Sequence, residues 1–105
     1  MLEVNNTARE VYHGHKAAGL TRAQLTPTSR VLIRGIYLYC PGGDDPTPNT
    51  ATVWVGGATV TADSDANSGG IPLVPGNSIF LQISDPSLLY VISTSASQDV
   101  AWIGQ

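Results

Sequence analysis

The sequence predicts an all-β domain, an antiparallel sandwich or barrel, from three observations. Past residue 28 no segment carries a helical period, while short runs alternate apolar and polar residues with the period of two that puts alternate side chains on opposite faces of a strand. Turn chemistry recurs every ten or so residues, in PGGDDPTPNT, VPGN, SDPS and SASQ. Charged residues make up 12% of the 105, about half the usual share of roughly 25%, and Ser, Thr, Asn, Gly and Pro fill the gap. One composition throughout, at this length, suits a single folding unit with one two-layer core.

Residues 1–28 are polar, with Val4, Val11, Tyr12, Leu20 and Leu25 too scattered to choose a period. Gly14 and Gly19 would each cost a helix about 1 kcal/mol relative to Ala, so this stretch is expected to be an extended N-terminal arm with room for one edge strand, ahead of a β-sandwich domain over residues 29–105. In SRVLIRGIYLYC, Val31, Ile33, Ile36, Leu38 and Cys40 alternate with a slip of one at Arg34-Gly35, the sequence mark of a bulged strand. Residues 41–50 form a loop rich in Pro and Gly. ATVWVGG places Val53 and Val55 opposite Trp54, and ATVTA continues the alternation. Ile71 and Leu73 lead into the Val74-Pro75-Gly76-Asn77 turn, where glycine takes the positive dihedral. NSIFLQIS puts Ile79, Leu81 and Ile83 on one face and Ser78, Phe80 and Gln82 on the other. After Asp85-Pro86-Ser87, LLYVIST and DVAWIG give the last two strands.

The formal net charge of −3 supplies no basic field, and the five cations, Arg9, Lys16, Arg22, Arg30 and Arg34, all lie in the first third. Binding to nucleic acid by phosphate neutralisation is therefore not expected. A single cysteine, Cys40, rules out an intrachain disulfide and is expected to be a buried, inert thiol. No run approaches the roughly 18 apolar residues of a membrane span, and MLEVNNTARE lacks the basic start and apolar middle of a signal peptide. A soluble protein made inside the cell, without a membrane partner, is the expectation.

Two patterns resemble metal sites. In TADSDANSGG, Asp63, Asp65 and Asn67 alternate as calcium-loop ligands do, but the sixth and twelfth positions fall on Ser68 and Val74, where such a loop needs glycine and a bidentate glutamate. The stretch reads as a solvated hairpin tip. His13 and His15 would project from one face of a strand roughly 6–7 Å apart, and nothing near in sequence offers a third ligand. No G-x-S-x-G elbow, Cys-His signature or phosphate-cradling loop is present. Asp44-Asp45 reads as an exposed loop pair. The expectation is no enzyme, no metal and no cofactor. Trp54 and Trp102 read first as core or half-buried packing, with the anchor of a protein interface as the functional reading, and Phe80 and Tyr37, off the main apolar faces of their strands, are candidate anchors on the same ground. A sheet apolar on both faces needs a second cover, which another subunit can provide.

Residues 29–104 carry a recurrent grammar: RVLIRGIYLYCPG, DPTPNTATVWVGG and GGIPLVPGNSIFLQISDPSLLYVISTSASQDVAWIG. In these residues the chain resembles small structural proteins of tailed-bacteriophage virions. The resemblance implies a compact antiparallel β-sandwich or jelly roll without enzymatic activity, located on the virion. Its leading implication is a capsid decoration, or cement, protein that binds the major capsid protein as a homotrimer. A neck, tail or fibre module is the alternative. Arg9, Lys16 and Arg22 of the arm would then lie on an acidic capsid surface. A further alternative from another class is carbohydrate binding, with Trp54, Trp102, Tyr37 or Tyr39 as stacking platforms.

Overall fold

The computed structural model describes residues 10–63 and 66–105. Eight strands are present among them: β1 Tyr12–Ala18, β2 Ala23–Gln24, β3 Ile36–Tyr39, β4 Val53–Gly56, β5 Ile71–Leu73, β6 Ser78–Leu81, β7 Tyr90–Ser93 and β8 Gln98–Gly104. The only helical element among the described residues is a 3₁₀ turn, Pro86–Leu88. The strands form two four-stranded antiparallel sheets, sheet I in the order β1-β8-β3-β6 and sheet II in the order β2-β7-β4-β5. The protein is therefore all-β and sandwich-like. Four of the pairings, β1 with β8, β2 with β7, β3 with β6 and β4 with β5, are those of one long hairpin. Its tip lies between β4 and β5, and contains the acidic stretch TADSDANSGG.

One apolar cluster lies between the sheets. Ile36, Leu38, Val100 and Trp102 point into it from sheet I, and Val53, Val55, Leu73 and Val91 from sheet II. Each aliphatic side chain fully buried there contributes about 1.5–3 kcal/mol relative to exposure. The period of two is what sorts these residues, as in β4, where Val53 and Val55 are buried and Trp54 and Gly56 only half-buried.

The N-terminal segment enters this core. β1 pairs with β8 along its whole length, from Tyr12 opposite Gly104 to Ala18 opposite Gln98, and Ala18 and Leu25 are both buried. The strand hides its period because its inward positions are Tyr12, Gly14, Lys16 and Ala18. Gly14 is required by packing: a Cβ there would come within 2.9 Å of the Trp102 indole nitrogen.

The bulged strand expected over residues 29–40 begins only at Ile36. The N–H groups of Arg34 and Gly35 share the carbonyl oxygen of Gln105, at 2.7 and 3.2 Å, and Gly35 accepts from the Gln105 N–H at 3.1 Å. Two residues opposite one is the definition of a bulge, and Gly35 adopts φ +133° to make it. Upstream of it the inward residue is Leu32, while Val31 and Ile33 are exposed, the reverse of the facing expected from alternation. ATVTA likewise forms no strand. Val60 tucks into the interior, and Thr61 makes an isolated bridge to Gly69 that closes the tip on itself.

Corners carry the chain between sheets. At Val74-Pro75-Gly76-Asn77 the Asn77 N–H donates to the Val74 carbonyl at 3.0 Å, with Gly76 at φ +94°. The same turn is tied to the end of β3 by Gly76 N–H to the Cys40 carbonyl at 2.7 Å. At the second corner Asp85 caps the 3₁₀ turn. Its carboxylate accepts from the Ser29 hydroxyl, from the Ser87 N–H at 2.9 Å and hydroxyl at 2.8 Å, and from the Arg30 N–H at 3.4 Å. The Ser29 hydroxyl first, and then Ser87, hold its pKa down from 3.8 to about 2.

Two outcomes are expected. Replacing Gly35 with Ala, which would place a Cβ against the Leu81 carbonyl at positive φ, lowers stability by about 2–3 kcal/mol in a urea melt. The control Gly43→Ala, with open space around it, leaves it unchanged. For Asp85 the folded pKa lies below the unfolded one, so the unfolded chain binds more protons in that interval. The stabilisation is complete above pH 3.8 and is lost as pH falls through about 2. Urea melts between about pH 5 and pH 2 show this loss for the native chain, and Asp85→Asn removes that part of the acid dependence.

Candidate interaction surface

The side chains of sheet I that do not enter the core form its outer face, and the strand register places them in rows. Opposite one another lie His13, Ile103, Tyr37 and Phe80 in one row, and His15, Ala101, Tyr39 and Ser78 in the next. Tyr37 is 51% exposed, Phe80 48% and Ile103 51%. Tyr37 and Phe80 face each other across β3 and β6, with ring centroids 5.5 Å apart and planes tilted by 51°. That is a favourable cross-strand aromatic arrangement. Tyr37, Tyr39, Ala101, Trp102 and Ile103 line a shallow groove of about 230 Å³. Beyond Phe80, Ile33 and Arg34 share with Gln82 a second cleft of about 380 Å³.

Side chains of this size cover about 150–250 Å² each, so the half-exposed Ile33, Tyr37, Tyr39, Phe80 and Ile103 together present on the order of 500 Å² of contiguous apolar surface. That matches the largest apolar patch of a typical monomer, about 300–600 Å², which is often a contact site. Its border is polar. His13 and His15 stand exposed along β1, and the His15 Nδ1 lies 3.1 Å from an Asp99 carboxylate oxygen. Both side chains of that pair are well exposed, so it contributes little to stability. An apolar centre with a polar rim is the anatomy of a protein interface.

Backbone pairing alone does not fix the face, because a slip of one residue in β8 would exchange it with the core. Two side-chain amides pin the start of β8. The Asn49 amide donates to the Asp99 carbonyl at 2.7 Å and accepts from the Asp99 N–H at 2.8 Å, as a neighbouring strand would. It also donates to the Cys40 sulfur at 3.0 Å. Burial pushes the Cys40 thiol pKa up, against the smaller opposing effect of that bond. The Gln98 carbonyl oxygen accepts from the N–H groups of Thr50 and Ala51 at 2.8 and 3.0 Å.

The candidate residues separate into different places. Tyr37 and Phe80 lie on the face. Trp102 is 9% exposed and packs in the core, which is the core-packing reading for that residue. Trp54 is half-buried on the outer side of sheet II, opposite Pro72 and Ile92. Lys16 is half-buried on the inward side of β1, and the Arg22 guanidinium donates to the Val60 carbonyl at 3.4 Å. Arg9 lies outside the described residues, as does Asp65 of the acidic tip, where Asp63 and Asn67 are exposed. Among the described residues no group of three or more His, Cys, Asp or Glu side chains is placed to hold a metal, and no helix is long and apolar enough to cross a membrane. Ile103 and Ile33 were not singled out by sequence. Parity was the available signal for Ile103, which alternates with Val100 and Trp102.

Removing the Asn49 clamp by Asn49→Ala leaves the Asp99 backbone groups without their partner and is expected to cost about 2–3 kcal/mol. Thermal melts check this, and amide exchange at residues 98–101 is expected to accelerate first.

Compared with family models, with curated proteins and with solved structures, the chain matches none of them.

Proposed function

We propose that the chain is a non-catalytic structural protein of a phage virion, of the capsid-decoration type, which binds the major capsid protein and associates with itself as a homotrimer. The observation that carries this reading is the uncovered apolar face of sheet I, centred on Tyr37, Phe80 and Ile103. A second partner face of similar size would bring the buried area to roughly 1,000 Å², the lower bound for a specific interface. The resemblance of residues 29–104 to tailed-phage virion proteins supports the virion setting. Strand order supports a jelly roll: β1-β8-β3-β6 against β2-β7-β4-β5 is what a long hairpin gives when it rolls into two sheets, and such double sheets occur in viral capsid and lectin domains.

The groove at Tyr37 and Tyr39 does not favour the lectin branch. A sugar face needs polar partners for its hydroxyls beside an aromatic platform. The groove walls are otherwise apolar, and the Tyr39 hydroxyl already accepts the Gly42 N–H at 3.2 Å. Three copies bound together would each add a contact to the shell, so that weak single sites sum by avidity without any chemical step.

The test compares phage particles with and without the protein. Particles lacking it are expected to lose their genome at lower temperature, and adding the native chain restores resistance. Phe80→Asp, at an exposed position, is expected to fail to restore it while lowering the chain's own stability by about 1–2 kcal/mol through the lost contact with Tyr37, and a melting curve shows that the variant is folded. Equal heat resistance with and without the protein would overturn the cement role, and labelling confined to the tail would move the protein to the neck or tail.

A further inference from the structure

A third cleft opens at the β1 corner of the molecule, with a volume of about 370 Å³. That is within the range of small-ligand sites. Val11, Tyr12 and His13 line it from the β1 segment and Thr26, Thr28 and Arg30 from the segment after β2, together with Trp102 of β8. Arg30 is held in place by its ring contact and its backbone. Its guanidinium lies 4.9 Å from the centroid of the Tyr12 ring, and its backbone N–H is fixed to Asp85 at 3.4 Å. Among the described residues the guanidinium forms no ion pair. Glu10, the acid nearest in sequence to Tyr12, accepts the Tyr12 hydroxyl at 2.6 Å and forms no ion pair with Arg30. Stacking on an aromatic ring leaves the donor edge of a guanidinium free for a carboxylate.

We infer that this cleft is a binding site for a carboxylate carried by an acidic peptide segment, with Arg30 as the charge partner and the Thr26 and Thr28 hydroxyls as adjoining polar groups. Three features select this ligand chemistry. One guanidinium balances one carboxylate and matches its plane with two parallel hydrogen bonds, whereas a phosphate dianion would stay half-neutralised. The other described cations are elsewhere: Arg22 reaches the Val60 carbonyl, Arg34 borders the cleft beside Phe80, and Lys16 lies further along β1. His13 belongs both to this cleft and to the outer row with Ile103 and Tyr37, so an extended peptide can set its acid on Arg30 and an apolar neighbour on the face. An acidic sugar would find few polar groups along that path. The site does not depend on the capsid reading, and the test below uses the isolated chain, so its failure would leave the proposed role of the apolar face standing.

The experiment is a titration of the full chain, followed by amide and indole N–H shifts. The probe is a capped Leu-Glu-Leu peptide, with the Leu-Gln-Leu analogue, glucuronate and inorganic phosphate as the other arms. The expected result is shifts confined to residues 11–13, 26–30, the Trp102 indole and the adjoining Tyr37 and Ile103 of the face, with the Glu peptide binding about tenfold more tightly than the Gln analogue. Arg30→Gln is expected to abolish that preference, Arg30→Lys to keep only part of it, and Arg22→Gln to keep all of it. The melting curve of each variant shows that it is folded. Equal binding of the two peptides, an unchanged preference in Arg30→Gln, or tighter binding of glucuronate or phosphate than of the Glu peptide would each overturn the assignment.

Discussion

The register of β8 is the constraint on which the other features depend. The strand lies between β1 and β3 and pairs with both, so one choice of alternation decides what half the molecule buries. With Gln98, Val100, Trp102 and Gly104 turned inward and Ala101 and Ile103 turned outward, the core of sheet I and its apolar face are specified together. The amide of Asn49, in a loop that has no strand of its own, and the amide of Gln98, at the start of β8 and bonded to that loop, enforce this choice. Buried and fully bonded, they act as specificity devices, because any slip would leave them unpaired in the interior.

Function and stability are therefore coupled through geometry, although they use different atoms. Outward side chains can be exchanged with little effect on the core, since single surface substitutions seldom move stability by more than about 0.5 kcal/mol. Inward ones cannot. The packing of Trp102 against Gly14 joins the N-terminal strand to this arrangement and gives the edge of sheet I the histidine border that flanks the apolar patch. The Asp85 corner has the matching role below. It holds Ser29 and Arg30 against the turn that carries the chain from β6 to β7, and so positions one wall of the β1-corner cleft.

Strands that alternate apolar and polar residues were legible in the sequence, and the rest was hidden for identifiable reasons. β4, β6, β7 and β8 announce themselves by period, and the Pro-Gly turn by its chemistry. β1 does not, because its inward positions hold a glycine made necessary by an indole 88 residues away in sequence, from Gly14 to Trp102, and a lysine at the sheet edge. The Arg34-Gly35 slip pointed to a bulge correctly, but the facing of Val31 and Ile33 was inverted because the chain before the bulge is held by Ser84 and Gln105 and not by a strand ladder. Sequence placed Tyr37 and Phe80 among the anchors. It could not set them beside Ile103, since that neighbourhood is created by pairing across more than 60 residues.

The outer face of sheet I as a surface for self-association is tested most directly by the solution mass of the chain from light scattering, beside that of Ile103→Asp. The expected result is a native species of three times the 11.0 kDa chain mass, and a monomer for the variant with an unchanged β-sheet spectrum. A native chain that stays at 11.0 kDa at all concentrations, or a variant that assembles as the native chain does, would contradict it.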